Sequence, residues 1–145
     1  MIVIAHDIRS LHNVGAIFRS AGAFGIEKLF LTGYTPTPPR KEIAKVALGA
    51  ERLIAWEIGE IAAIIESCKK AGYTVLALEQ TPDAQNLADV RQEKVALILG
   101  NEVTGIDPAV LALCDGSAVI PMHEKRSLNV SVAAGVAMYA LTQSL

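Results

Sequence analysis

Aromatic residues make up only 5% of this 145-residue chain. The core is therefore aliphatic, which suits a parallel sheet covered by helices on both faces. Cysteine is scarce too: Cys68 and Cys114 stand alone, which argues against a disulfide framework or a CxxC metal site. No apolar run reaches the roughly 18 residues of a membrane span. The opening MIVIAHDIRS has no basic segment, and its apolar run is too short for a signal peptide. The expected compartment is the cytoplasm, with no membrane partner. Positive charge is not in excess: the formal net charge is -2, which weighs against nucleic acid as a partner of the surface as a whole. There is no GxxxxGK(S/T), hence no Walker-A phosphate loop, and no GxGxxG after the first strand, hence no ordinary dinucleotide site. His6, His12 and His123 lack metal-ligand spacing, so no metal is expected. Ser127 and Ser131 have no nearby His-acid pattern that would make a hydrolase triad.

What is present reads as one globular domain over residues 1–145. Hydrophobic content is 52% and charged content 19%, outside the range of disordered chains. Apolar runs at Met1–Ala5, Glu27–Thr32, Tyr73–Leu78, Val95–Leu99 and Gly116–Ile120 predict strands, with a brief one at Arg52–Trp56. Helical spacing predicts helices over Val14–Phe24, Lys41–Leu48, Ile58–Ala71, Asp107–Leu113 and Ser127–Thr142. Asp7–Asn13 and the proline-rich Gly33–Arg40 read as loops, and Glu79–Glu93 as a loop with one helical turn at Asn86–Val90. Alternation of strand and helix calls for a mostly parallel α/β sheet with helices on both faces. Gly15 and Gly22 weaken the first helix unless another backbone or a ligand comes close. The last helix is apolar on nearly every side, more than one domain of this size covers alone, so part of it is expected in a homodimer interface.

Three turns carry short polar side chains at strand-to-helix junctions: Asn13-Val14-Gly15 with Arg19, Gly100-Asn101-Glu102 with Gly105, and Ser127-Leu128-Asn129. In an α/β protein a site forms at the carboxyl ends of strands. Two of these turns meet there if the strands ending at Leu99 and Ile120 pair. Arg9, Arg19, Arg40, Lys41, Lys125 and Arg126 fall in or beside turn-like stretches, which leaves room for a local basic face.

The runs Asn13-Val14-Gly15-Ala16-Ile17-Phe18-Arg19, Leu97-Ile98-Leu99-Gly100-Asn101-Glu102 with Gly105, and Ile120-Pro121-Met122 followed by Ser127-Leu128-Asn129-Val130 resemble, in order, the three motifs of the SpoU (TrmH-like) RNA ribose 2′-O-methyltransferases of the SPOUT class. The resemblance implies a Rossmann-like sheet with a C-terminal trefoil knot. It implies S-adenosylmethionine bound by Leu78, Leu99, Gly100, Ile120, Met122 and Leu128, largely through backbone groups. It also implies a homodimer, and methyl transfer to a ribose 2′-hydroxyl of tRNA or, less favoured, rRNA. Arg19 would be catalytic, with Asn13, Glu102, Ser127 and Asn129 in the same site and Glu102 orienting Arg19. Arg9, Arg40, Lys41 and Arg126 would contact RNA. Two departures stand out. His123-Glu124-Lys125-Arg126 replaces a segment that in many relatives carries a glycine. The chain also begins at the first motif's strand, so no N-terminal RNA-binding extension is expected. The altered loop and the negative net charge keep a second reading open, a catalytically weak or inactive RNA- or cofactor-binding protein of the same fold.

Overall fold

The computed structural model describes residues 1–124 and 127–143. Seven parallel strands form one sheet: β1 (Ile2–His6), β2 (Lys28–Thr32), β3 (Trp56–Gly59), β4 (Thr74–Leu78), β5 (Gln85–Asn86), β6 (Val95–Leu99) and β7 (Gly116–Val119). Their order is β3-β2-β1-β6-β4-β7-β5. Between them run α1 (Leu11–Ala23), α2 (Lys41–Ala47), α3 (Ala50–Leu53), α4 (Ile61–Lys70) and α5 (Pro108–Leu111), and α6 (Val130–Gln143) follows β7.

The two faces of β1 and β6 carry two separate apolar layers. Val3, Ala5, Leu97 and Leu99 pack with α1, α2 and α6. Ile2, Ile4, Ala96 and Ile98 pack with α4 and α5. Every residue of both strands is buried, as expected of central parallel strands. Gly15 on α1 has a packing reason: a Cβ there would lie 2.7 Å from the Ile43 carbonyl oxygen on α2. The close backbone approach anticipated for this helix is real.

Four expected boundaries move. α1 begins at Leu11, not Val14, because Ser10 caps it by accepting from the Asn13 backbone N–H. Residues 50–53 are helical, and the edge strand runs from Trp56 to Gly59. α4 starts only at Ile61, where Glu60 accepts from the Ala62 and Ala63 N–H groups at 3.0 and 2.9 Å. α6 starts at Val130, so Ser127–Asn129 precede it. The strands ending near Leu99 and Ile120 do not pair, since β4 lies between β6 and β7. The carboxyl ends of β6, β4 and β7 therefore stand side by side.

α6 is two-sided. Ala134, Ala137, Met138 and Leu141 are buried in the first apolar layer. Val132, Val136 and Tyr139 form an exposed stripe at helical spacing, 52%, 42% and 58% accessible.

Candidate active site

Beyond the carboxyl ends of β6, β4 and β7 lies a cavity of about 320 Å³, within the size range of small-molecule sites. Leu78, Leu99, Gly100, Ile120, Met122 and Leu128 all line it. Ser127 and Glu102 line it as well. The structure thus gathers residues from four separate segments around one space.

Its wall is built by the loop after β6. Asn101 Oδ1 accepts from the Val103 and Thr104 N–H groups at 2.8 and 2.9 Å. Its backbone pairs with Gly105 in both directions, at 3.1 and 3.0 Å. Its Nδ2 donates to the Asp7 carbonyl at 2.9 Å and to the Tyr34 hydroxyl at 2.8 Å. One buried side chain therefore closes the loop and ties it to the segments after β1 and β2. Glu79, just past β4, braces the other side by accepting from the Ile106 N–H at 3.0 Å. Gly100 and Gly105 have no room for a side chain. A Cβ on Gly100 would sit 2.5 Å from Ile106 Cγ1 and 2.8 Å from the Gly105 carbonyl carbon. On Gly105 it would collide with Glu79 Oε2, and φ there is +70°.

The three polar turns are joined by a relay. Glu102 Oε1 accepts from the Arg9 N–H, and Oε2 from the Ser10 N–H, both at 2.9 Å. Oε2 also accepts from Asn13 Nδ2 at 3.0 Å. Asn13 Oδ1 accepts from Asn129 Nδ2 at 3.2 Å. Asn129 Oδ1 in turn accepts from the Ser131 N–H at 2.8 Å, at the start of α6. The orientation of both amides is fixed by the ends of this chain, because a carboxylate only accepts and a backbone N–H only donates. Burial pushes the Glu102 carboxyl up, but the donors from Arg9, Ser10, its own backbone and Asn13 outweigh that and hold it below the ordinary value.

The sign of this shift gives a test. A carboxyl with a lowered folded pKa stabilises the native state above its unfolded value of about 4.3. That contribution is lost as pH falls through the lowered value. Urea midpoints measured from pH 7 down to pH 3 should fall more steeply for the wild type than for Glu102→Gln. Parallel curves would mean that Glu102 titrates as if free.

Arg19 is not drawn into the relay. It lies on α1, exposed, with no ion pair to Glu102 and outside the cavity lining. The expected Glu102–Arg19 pair is not formed within the chain; the Glu102 oxygens instead accept from the Arg9 and Ser10 N–H groups and from Asn13 Nδ2. The basic residues also separate. Arg9 is exposed at the start of α1, whereas Arg40 and Lys41 line a second cavity. Arg126 lies outside the described residues. Sequence reasoning did not assign Asn101 or Glu79, although Gly-Asn after a buried strand and Gly four residues on were visible in the sequence.

The lining suits a cationic, sulfonium-bearing cofactor. No Lys or Arg is among its described residues, and two carboxylates are.

A family model described as the SpoU rRNA Methylase family matches residues 1–139. A tRNA (guanosine(18)-2′-O)-methyltransferase from Aquifex aeolicus is 29% identical, over 96% of this chain and 67% of its own. A 23S rRNA (guanosine-2′-O-)-methyltransferase, RlmB, from Xylella fastidiosa is 31% identical over 96% of this chain and 57% of its own. Among solved structures, an AdoMet-bound rRNA methyltransferase from Sinorhizobium meliloti superposes with a TM-score of 0.91 at 25% identity, over 99% of this chain and 56% of that one. The chain thus spans between about half and two thirds of each of these relatives.

Proposed function

We propose, from the premise that this chain belongs to the SpoU rRNA methylase family, that it transfers a methyl group from S-adenosylmethionine to a ribose 2′-hydroxyl of RNA. The observation that carries this reading is the cavity itself. The six residues that motif resemblance assigns to the cofactor come from the ends of β4 and β6, the segments that follow β6 and β7, and the segment before α6, and all of them line one space. The relatives' names support the RNA substrate and the ribose position, and one structural neighbour was solved with AdoMet bound. Those names include tRNA and rRNA enzymes alike; tRNA is the substrate to test first. No finding favours a catalytically weak or inactive protein of this fold. The trefoil knot of the SPOUT class and a cytoplasmic location belong to the same reading.

When bound, S-adenosylmethionine supplies an electrophilic methyl group on a positively charged sulfur. Glu79 and Glu102 place negative charge at the cavity, each held in position by backbone N–H donors. Alignment of the ribose with the methyl group contributes several kcal/mol of rate enhancement. Ser127, which lines the cavity, holds the ribose in this reading. Arg19 binds the phosphate next to the acceptor ribose and lowers the hydroxyl's pKa. It does not remove the proton, since a guanidinium is not a base at neutral pH. Asn13, Glu102 and Asn129 act as positioning residues, fixing the start of α1, the loop after β6 and the start of α6 relative to one another. The direct test is calorimetric titration of the full chain with S-adenosylmethionine. Binding at one site per chain is expected, and its absence sinks the reading.

The reading includes a homodimer through α6. The exposed stripe Val132, Val136 and Tyr139, with Leu128 at 41% accessible beside it, is the apolar surface that a second copy would cover. Light scattering should give a dimeric mass for the wild type and a monomeric mass for Val136→Glu. A monomeric wild type at micromolar concentration contradicts the dimer.

A further inference from the structure

A second cavity, of about 500 Å³, lies away from the one described above. Pro39, Arg40, Lys41, Glu51, Arg52 and Trp56 line it. Trp56 opens β3 and is half-buried, its ring held edge-on by Phe18 with centroids 6.5 Å apart at 88°. Such a ring, fixed in place, offers a stacking surface. The cations around it are only loosely engaged. Arg40 Nε stands 3.7 Å from Glu42. Arg52 Nη1 stands 4.0 Å from Glu51 Oε1 with its own side chain 80% accessible. Lys41 is exposed and forms no ion pair among the described residues.

Glu51 is the anomaly. Its side chain is only 9% accessible, and Oε2 is buried with no hydrogen-bond partner among the described residues. Buried acceptors are nearly always paired, because an unmet one is costly. No described protein group donates to it, and Glu51 lines a cavity that Trp56, Arg40, Lys41 and Arg52 also line. A ligand that answers all three must be planar, anionic, and rich in N–H donors along one edge. Guanine meets this description, since its ring N–H and exocyclic amino group donate side by side, as a carboxylate requires. Adenine presents an amino group next to a ring acceptor, which a carboxylate repels. The sheet order places β3 four strands from β4, so the two cavities are separated by roughly 15–20 Å at about 4.8 Å per strand.

We propose that this second cavity takes a guanine nucleotide of single-stranded RNA, one that is not itself methylated. The base stacks on Trp56, its N–H edge meets Glu51 after a small turn of that side chain, and its phosphate meets Arg40 and Lys41. The proposal rests on the RNA reading above and deepens it: substrate selection lies partly in the first half of the chain, away from the reacting ribose.

Trp56 is the protein's single tryptophan, so its fluorescence reports on this cavity directly. The full chain would be titrated at low salt with GMP, AMP, CMP, UMP and inorganic phosphate, as wild type, Glu51→Gln and Arg40→Ala/Lys41→Ala. GMP should quench the tryptophan and bind about tenfold tighter than AMP, the ratio worth one net hydrogen bond. Glu51→Gln should erase that preference, and the double variant should weaken all four nucleotides alike. Equal affinity for GMP and AMP overturns the proposal. So does displacement of GMP by phosphate at equal concentration, which would mark a bare anion site, and so does a tryptophan signal that no nucleotide changes. Cofactor titration of the same preparations separates the two readings. GMP discrimination lost with cofactor binding intact sinks this proposal alone, whereas GMP discrimination without cofactor binding sinks the transferase reading alone.

Discussion

Gly100→Ala should abolish S-adenosylmethionine binding, lowering affinity by at least about hundredfold, or roughly 2.7 kcal/mol. The added methyl group has nowhere to go. It meets Ile106 Cγ1 at 2.5 Å and the backbone carbonyl of Gly105 at 2.8 and 2.9 Å. A side chain can turn away, but a backbone carbonyl held in the paired Asn101–Gly105 turn cannot do so without opening that turn. Overpacking of this kind costs typically about 1–3 kcal/mol, and here the strain falls on the wall of the cavity. Gly116→Ala is the control. Gly116 begins β7, and its added methyl would lie 3.6 Å from Leu76 Cδ2, an ordinary contact. That variant should bind the cofactor as the wild type does. Calorimetry on the three proteins measures the difference. Wild-type affinity in Gly100→Ala would show that the cofactor does not use this loop.

Arg19→Ala should separate chemistry from binding. Loss of one charged donor at a transferring centre costs about 10²–10³ in rate. Because Arg19 lies outside the cavity lining, cofactor affinity should stay unchanged. Stability should stay within about 0.5 kcal/mol, as is usual for an exposed side chain. Arg19→Lys keeps the charge but not the planar fork that grips a phosphate through two parallel hydrogen bonds, and should recover only part of the rate. Single-turnover methylation with saturating cofactor reads the effect. A full rate in Arg19→Ala removes Arg19 from the mechanism and leaves the binding site standing.

The central strands were legible because both of their faces are buried. Val95–Leu99 is an unbroken aliphatic run, and the strand has those bounds. The edge strand β3 was not legible. Its four residues, Trp56-Glu57-Ile58-Gly59, are mostly exposed, too short a run for alternation to stand out, and Ile58 read as the start of the next helix. The cap that ends this ambiguity, Glu60 reaching the Ala62 and Ala63 N–H groups, is local and present in the sequence. So is Ser10 before α1, which the polar look of residues 7–13 concealed. The insertion of β4 between β6 and β7 has no local signal, because it depends on how the chain crosses over rather than on any residue's preference.

For the site, motif resemblance brought together residues that the fold then placed around one space. It did not give the roles of the polar members. Asn13, Glu102 and Asn129 were grouped with Arg19, yet their hydrogen bonds run to each other and to helix starts. Asn101 and Glu79 hold the cavity's walls through backbone groups, and backbone geometry is what a residue pattern conveys least.

Methyl transfer to a ribose hydroxyl leaves a mark that alkali reveals. Its most direct measurement is incubation of the full chain with methyl-labelled S-adenosylmethionine and unmodified tRNA, and separately rRNA, followed by alkaline hydrolysis. A 2′-O-methyl group blocks cleavage at its own nucleotide, so label is expected in alkali-stable dinucleotides from one of the two RNAs, accumulating at least about a hundredfold more slowly with Arg19→Ala. Label confined to mononucleotides, which marks a methylated base, or no label in either RNA while the cofactor binds, would contradict ribose methylation.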